Sequence, residues 1–259
     1  MNKDQLLEAL STLPLGELRY FDSIGSTNDE AMKWASQHAP DLSIIVADEQ
    51  TAGRGRSNRI WFTPPNSALA LSLILRPSVT EKAYPAHITG LGALALTDVL
   101  HTLGLNPKIK WPNDVLINGR KAAGILVESV WSGDTLIASV LGMGVNVSTA
   151  SVPPEGEVFF PPTCVENETG RTPDRIELLK EIILAMIKWR KKLGGDEFIQ
   201  AWDDALAFHG EQVRIMRDQE MPITGELLGL GLDGSLVIRK LDGKLQEIQF
   251  GEIQLRQAL

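Results

Sequence analysis

The stretch KWPNDVLINGRKAAGILVES, Lys110 to Ser129, puts a strong strand signal and a cluster of charge in one place. Asn118-Gly119 is the dipeptide a two-residue β-hairpin prefers, because both central positions need positive φ. It joins a strand over Asn113–Ile117 to a second over Arg120–Ser129. Ile117 then faces Arg120, Leu116 faces Lys121 and Asp114 faces Ala123. Side chains alternate along a strand, so Asp114, Leu116 and Lys121 share a face, with Asp114 and Lys121 diagonal neighbours. Lys110 joins them if Pro112 introduces no bulge. The alternative is an exposed hairpin carrying a weak surface ion pair.

Downstream, Leu136–Val147 reads as a third strand. Its Gly142-Met-Gly144-Val-Asn146 end exposes backbone beside a carboxamide that can donate and accept; a close-packed strand is the plainer reading. Upstream, ALALSLIL (Ala68–Leu75) is apolar nearly throughout, as a central strand covered on both faces must be. Residues 81–103 read as one long helix, small around Gly90, Gly92 and Ala93, so packed closely on a sheet. Leu42–Ala47 and Glu17–Asp22 suit strands. Ser26-Thr27-Asn28-Asp29-Glu30 suits a helix start, with polar caps ahead of an acidic first turn. Residues 151–163 carry four prolines and read as a loop. Asp174–Leu193 and Glu197–Phe208 are amphipathic helices. Beyond His209, short strands at about 211–217, 222–230, 235–240, 244–249 and 252–256 alternate with Gly and Asp-Gly turns, which implies a small β-barrel. The fold expected is α+β, a mixed sheet packed with helices over residues 1–208, followed by a β-barrel over 209–259.

Between strands lies TAGRGRSNRIW, Thr51 to Trp61. Its glycines let backbone approach a ligand closely, and arginine forks match phosphate and carboxylate oxygens in bidentate fashion. Trp61 offers a face on which a purine can stack. Taken alone, an Arg/Gly loop reads as a solvated basic turn. Here Arg54, Arg56 and Arg59 stand out, because the 259-residue chain has a net charge of −8. That acidity opposes general nucleic-acid binding. A single cysteine, Cys164, excludes an internal disulfide framework and multi-cysteine zinc sites. MNKDQLLEAL lacks the apolar core of a secretory signal, and no uncharged apolar run reaches the ~18 residues of a membrane span. The expected location is the cytoplasm. Gly229-Leu-Gly231-Leu-Asp-Gly234 matches the dinucleotide fingerprint but precedes a strand-like SLVIRK, so it reads as a β-turn. His38, His87, His101 and His209 show no ligand spacing and suit surface or helix-packing roles.

In this order, Ser26-Thr27-Asn28, the Gly-Arg-Gly-Arg loop, Lys-Trp-Pro-Asn-Asp with Lys-x-Ala-Gly after it, and Gly-x-Gly-x-Asn-Val resemble the catalytic domain of biotin protein ligases. The C-terminal strands resemble the family's SH3-like domain, so nearly the whole chain is covered. The resemblance implies the class II synthetase-like biotin/lipoate ligase fold. It implies a reaction that joins biotin to ATP as biotinyl-5′-AMP with loss of pyrophosphate, assisted by Mg²⁺. Biotin then passes to a lysine of a biotin carboxyl carrier domain of a biotin-dependent carboxylase. By matching position it places Ser26, Thr27 and Gln50 on the biotin ureido group, with Asn28, Gly53 and Gly124 in the same biotin site. Arg54, Gly55 and Arg56 fold over biotin and the adenylate, and Lys121 binds the biotin carboxylate and the α-phosphate. Arg59, Trp61 and Asn146 fall on the nucleotide side, with Trp61 and Asn146 at adenine. The resemblance makes Lys121, Arg56, Asp114 and Lys110 the expected catalytic residues, with Lys110 and Asp114 near the phosphates and magnesium and Asp114 also a candidate to position or deprotonate the carrier amine; no metal-ligand set is implied. Asn58 stands where the family's Arg-x-Gly-Arg has glycine; asparagine best tolerates left-handed backbone after glycine, so the loop is expected to fold still. Many relatives begin with a helix-turn-helix domain, and the short leader here implies a ligase without repressor function or DNA binding. A lipoate-attaching ligase, a DNA-acting regulator and a pure carrier-binding module are the competing readings. Monomer and homodimer are both open.

Overall fold

The computed structural model describes residues 1–154, 160–216 and 221–255. Part of the proline-rich stretch, and positions 217 and 256 of two expected strands, fall outside the described residues. The N-terminal elements are α1 (Lys3–Leu10), β1 (Leu18–Ile24), α2 (Thr27–Ser36), β2 (Ser43–Gln50), β3 (Ala68–Leu75), α3 (Val79–Lys82) and α4 (His87–Thr102). Then come β4 (Pro107–Lys110), β5 (Asp114–Ile117), β6 (Arg120–Ser132), β7 (Thr135–Asn146), α5 (Val165–Thr169), α6 (Arg175–Arg190) and α7 (Asp196–Asp204). The chain continues through β8 (Gln212–Met216), β9 (Ile223–Leu230), β10 (Leu236–Arg239), β11 (Leu245–Ile248) and β12 (Glu252–Leu255).

Seven strands form a mixed sheet in the order β1-β2-β3-β7-β6-β5-β4, parallel only between β1 and β2. All eight residues of β3 are buried, because helices cover both faces. On one face α2 packs Ala31, Trp34 and Ala35 against Ile45, Ile74, Ala138 and Val140. On the other, α4 and α6 pack with residues of β3, β6 and β7, among them Leu71, Leu73, Leu141 and Ile125. Expected helix 81–103 is in fact two, α3 and α4, separated at Pro85, which cannot supply an interior helical N–H. Gly92 does meet the sheet, whereas Gly90 admits a different neighbour: a Cβ there would lie 2.5 Å from the Trp202 ring of α7. Helices α1 and α5 carry too short an apolar pattern to be read from sequence.

The β5–β6 hairpin turns on Asn118 (φ 49°) and Gly119 (φ 73°), as the dipeptide requires. Ile117 faces Arg120 and Leu116 faces Lys121, but Val115 then faces Ala123 and Asp114 faces Gly124. The expected Asp114–Ala123 pairing is therefore off by one, because a bulge at Ala122 inserts an extra residue. The shift has a consequence for facing. It puts Gly124, Leu126 and Glu128 on the same side as Lys121 and Asp114, where strict alternation would send them to the opposite face.

The last five strands form an antiparallel sheet, β11-β10-β9-β8-β12. Its buried Val213, Ile215, Leu227, Leu236, Ile238, Ile248 and Ile253 belong to the same contiguous core as the large sheet. At the joint, Trp111 Nε1 donates to Gly234 O (3.1 Å) and Leu230 N to Asp203 Oδ1 (2.8 Å). The fingerprint-like Gly229–Gly234 run is the β9–β10 turn. His38, His101 and His209 are exposed, and His87 is buried between Tyr84 and Phe198 with Nε2 3.0 Å from Leu232 O. Cys164 is buried, and burial raises its thiol pKa.

Candidate active site

The bulged β6 and the end of β7 turn three glycines, Gly124, Gly142 and Gly144, toward the α2 side, leaving bare backbone. A cavity of about 980 Å³ opens there. The sheet lines it with Asp114, Lys121, Gly124 and Asn146, and α2 with the end of β2 adds Ser26, Thr27, Asn28 and Gln50. The Arg/Gly loop contributes Arg54, Gly55, Arg56, Arg59 and Trp61. Two expected site residues are not in the lining. Lys110 lies beneath it, 3% exposed, and Gly53 supports the loop from behind, where a Cβ would collide with the Trp61 carbonyl.

The glycines are required by what sits on them. A Cβ at Gly142 would collide with Asn28 Oδ1 and one at Gly144 with the Trp61 indole, while at Gly124 it would stand 3.1 Å from the same ring. Trp61 therefore lies flat on the floor of the cavity, with Lys121 Nζ 5.5 Å from its ring centroid. Its Nε1 is buried and has no hydrogen-bond partner among the described residues. Loop shape comes from its own backbone: Gly55 N donates to Arg59 O (2.7 Å) and Trp61 N to Gly53 O (2.8 Å). Between them Ser57 (φ 53°) and Asn58 (φ 58°) are both left-handed. Ile60, 86% exposed, stands at the loop's outer edge.

Charge is arranged in two groups. In the first, Asp114 Oδ1 is 2.6 Å from Lys121 Nζ and Oδ2 is 3.3 Å from Lys110 Nζ. With Asp114 only 4% exposed, the exposed-hairpin alternative is excluded. Lys110 also lies 3.5 Å from Glu252 Oε1, which accepts from Arg59 Nη1 at 2.8 Å. Burial would raise the Glu252 carboxyl, but Arg59 and Lys110 outweigh it and pull its pKa down to about 2. Arg56 Nη1 donates to Asn113 Oδ1 and Gly251 O, both at 3.3 Å. In the second group, Arg54 bridges Asp29 and Glu128. Burial opposes that charge; the two carboxylates more than offset it and raise the Arg54 pKa.

Polar groups at the α2 end are fixed by one another. Gln50 Oε1 accepts from Thr27 N (2.8 Å), and Gln50 Nε2 donates to Thr63 Oγ1 (3.2 Å). Asn146 Nδ2 donates to Thr163 O (2.9 Å). Sequence reading missed Phe250, Gly251 and Glu252, which bring the second sheet to the cavity. Nothing local marks Glu252, an ordinary outward position of a short strand. Its role arises from contacts about 140 and 190 residues away, with Lys110 and Arg59.

Residues 20–146 match the model of the biotin/lipoate A/B protein ligase family. The biotin--[acetyl-CoA-carboxylase] ligase of Paracoccus denitrificans is 39% identical over 85% of this chain and 92% of its own length. The bifunctional ligase/repressor BirA of Bacillus spizizenii is 31% identical over 98% of this chain and 79% of its own. Among solved structures, the biotin protein ligase from Aquifex aeolicus in complex with biotin and ATP superposes with a TM-score of 0.77. Its identity is 29%, and the match covers 93% of this chain and 99% of that one. Fold, motif order and kinship thus converge, and the chain belongs to the biotin/lipoate A/B protein ligase family, among its biotin protein ligases.

Proposed function

We propose that the protein activates biotin with ATP, releasing pyrophosphate, and transfers the biotinyl group from biotinyl-5′-AMP to a lysine of a biotin carboxyl carrier domain. The observation that carries this reading is the convergence of Arg56, Arg59 and Lys121 on one cavity with the Ser26–Asn28 helix start and Gln50. Biotin carboxylate and ATP α-phosphate repel each other in water. In a lidded cleft, fixed Lys121 and Arg56 offset that repulsion and stabilise the charge that develops as the carboxylate oxygen bonds to the α-phosphorus and pyrophosphate leaves. Asp114, with both oxygens engaged by lysines, orients Lys121 in this scheme. In the second step the carrier amine attacks the acyl carbon, loses a proton and expels AMP.

Ser26, Thr27, Asn28, Gln50 and Gly124 take the biotin end, while Trp61, Asn146 and Arg59 take the nucleotide end. Among the described residues no three His, Cys, Asp or Glu side chains cluster as metal ligands. Asp114 and Glu252 are already paired with cations. With these side chains, a magnesium ion would be held mainly by the ATP phosphate oxygens and would supply charge neutralisation at the departing pyrophosphate. The catalytic domain then spans residues 1–208 and the C-terminal domain 209–259, in a cytoplasmic setting. Among the described residues no helix is long and apolar enough to cross a membrane. The test is ATP–pyrophosphate exchange. Exchange that depends on biotin supports the assignment; exchange with lipoate alone, or none, rejects it.

A further inference from the structure

The Arg/Gly loop is tied down on the side away from Glu252 by a contact outside the proposed chemistry. Arg54 Nη2 lies 2.6 Å from Glu128 Oε2 and 2.6 Å from Asp29 Oδ1. These carboxylates come from β6 and from the first turn of α2, so one guanidinium clamps the loop to two separate elements. Glu128 reaches this position only because the Ala122 bulge turns it to the cavity side. It is not idle otherwise: Glu128 Oε2 accepts from Asn28 Nδ2 (2.8 Å), which also donates to Leu126 O (3.2 Å). Asn28 Oδ1 is 2.6 Å from Ser72 Oγ, and Ser72 Oγ is 2.8 Å from Thr27 Oγ1. Thr27 in turn meets Gln50. An unbroken polar chain thus runs from the lid to the end of the cavity assigned to the vitamin.

We infer that Glu128 is a positioning residue that holds the Arg/Gly loop over the cavity through Arg54, and that its contact with Asn28 ties loop closure to the α2 end of the site. The geometry supports this rather than a general structural role. Arg54 sits on the loop and Glu128 on the rigid sheet, and the contact crosses the space between them. A charge-assisted bond of this kind is shorter and stronger than a neutral one. The inference rests on the ligase reading for its consequence: a reactive acyl adenylate is kept from water only while the lid stays down.

The experiment uses the full chain and Glu128→Gln, which keeps an acceptor for Asn28 Nδ2 while removing the charge opposite Arg54. The loop contains three trypsin sites, after Arg54, Arg56 and Arg59. Limited trypsin digestion followed by mass spectrometry therefore reads loop opening without any activity assay. Expected is cleavage within 54–59 faster by about tenfold in Glu128→Gln, with the melting temperature within a degree or two of wild type. Release of biotinyl-5′-AMP should rise by a similar factor and KM for biotin with it, while kcat for exchange changes less than threefold. Glu128→Asp should restore part of the protection. Glu128→Ala, which also strips Asn28 of its acceptor, should lower thermal stability as well. Unchanged cleavage in Glu128→Gln overturns the anchor, whatever the exchange assay reads. Faster cleavage with unchanged adenylate release overturns its tie to the reaction. Absence of exchange in the wild-type chain defeats the ligase reading instead, and the cleavage comparison still decides the anchor.

Discussion

Two side chains concentrate the energetic argument. Lys121 is the cation that its Asp114 partner points into the cavity, and losing such a donor typically costs about 3 kcal/mol of activation free energy. Lys121→Ala should therefore lower exchange by roughly 100-fold or more, with an unchanged far-UV circular dichroism spectrum; a smaller loss would remove Lys121 from the charge-stabilising role. Asn58 carries a different burden. At φ 58° a β-branched residue is strained by about 1–2 kcal/mol. Asn58→Val should accelerate adenylate loss by about tenfold, measured by filter retention of labelled intermediate, while Asn58→Gly should leave it near wild type. Left-handed tolerance at Asn58 was legible in the sequence, since it depends on one residue's own backbone. The identical conformation at Ser57 was not, because serine has no such preference and is placed there by the Gly55–Arg59 bond closing around it.

At the scale of elements, local chemistry explains what could be read. The Asn118-Gly119 turn set the hairpin, and Gly and Asp-Gly turns set the five C-terminal strands to within a residue or two over the described positions. The one-residue slip at Ala122 escaped because a bulge leaves no mark in an alternating apolar run such as Ala122-Ala123-Gly124-Ile125. The expected helix over 81–103 overruns α4 because Pro85 is compatible with a first turn as well as a break. Glu252 was invisible since the contact between β12 and the loop is purely tertiary. That contact has a pH signature. The Glu252 pKa falls from 4.5 to about 2 on folding, so its stabilising contribution is complete above pH 4.5 and is lost as pH drops from there toward 2. The expected magnitude is on the order of 2 kcal/mol. Melting temperatures of wild type and Glu252→Gln should differ most near neutral pH and converge only as pH falls toward 2; a constant gap would mean that the carboxylate charge does not hold the loop.

Over the whole molecule, the decisive fact is that both sheets share one core and that tryptophans stitch the joint. Trp111 comes from the same Lys-Trp-Pro-Asn-Asp segment that supplies Lys110 and Asp114, and it bonds the β9–β10 turn. Far-UV circular dichroism and tryptophan fluorescence should accordingly report one coincident thermal transition; two separated transitions would show that the second sheet melts on its own. Desolvation lowers the pKa of His87 at this joint, against the smaller pull of the Leu232 carbonyl and Asp233. Its contribution is therefore full above pH 6.5 and fades as pH falls below that value, because the unfolded chain takes up the proton more readily. Wild type should lose more stability than His87→Asn between pH 7 and 5.5, as followed by urea midpoint. The lone thiol of Cys164, sealed in the interior and reluctant to ionise, has a practical corollary. A maleimide dye would leave the native chain untouched, so a cysteine installed at solvent-facing Ile60 becomes a unique attachment point for following the Arg/Gly loop by fluorescence, one molecule at a time.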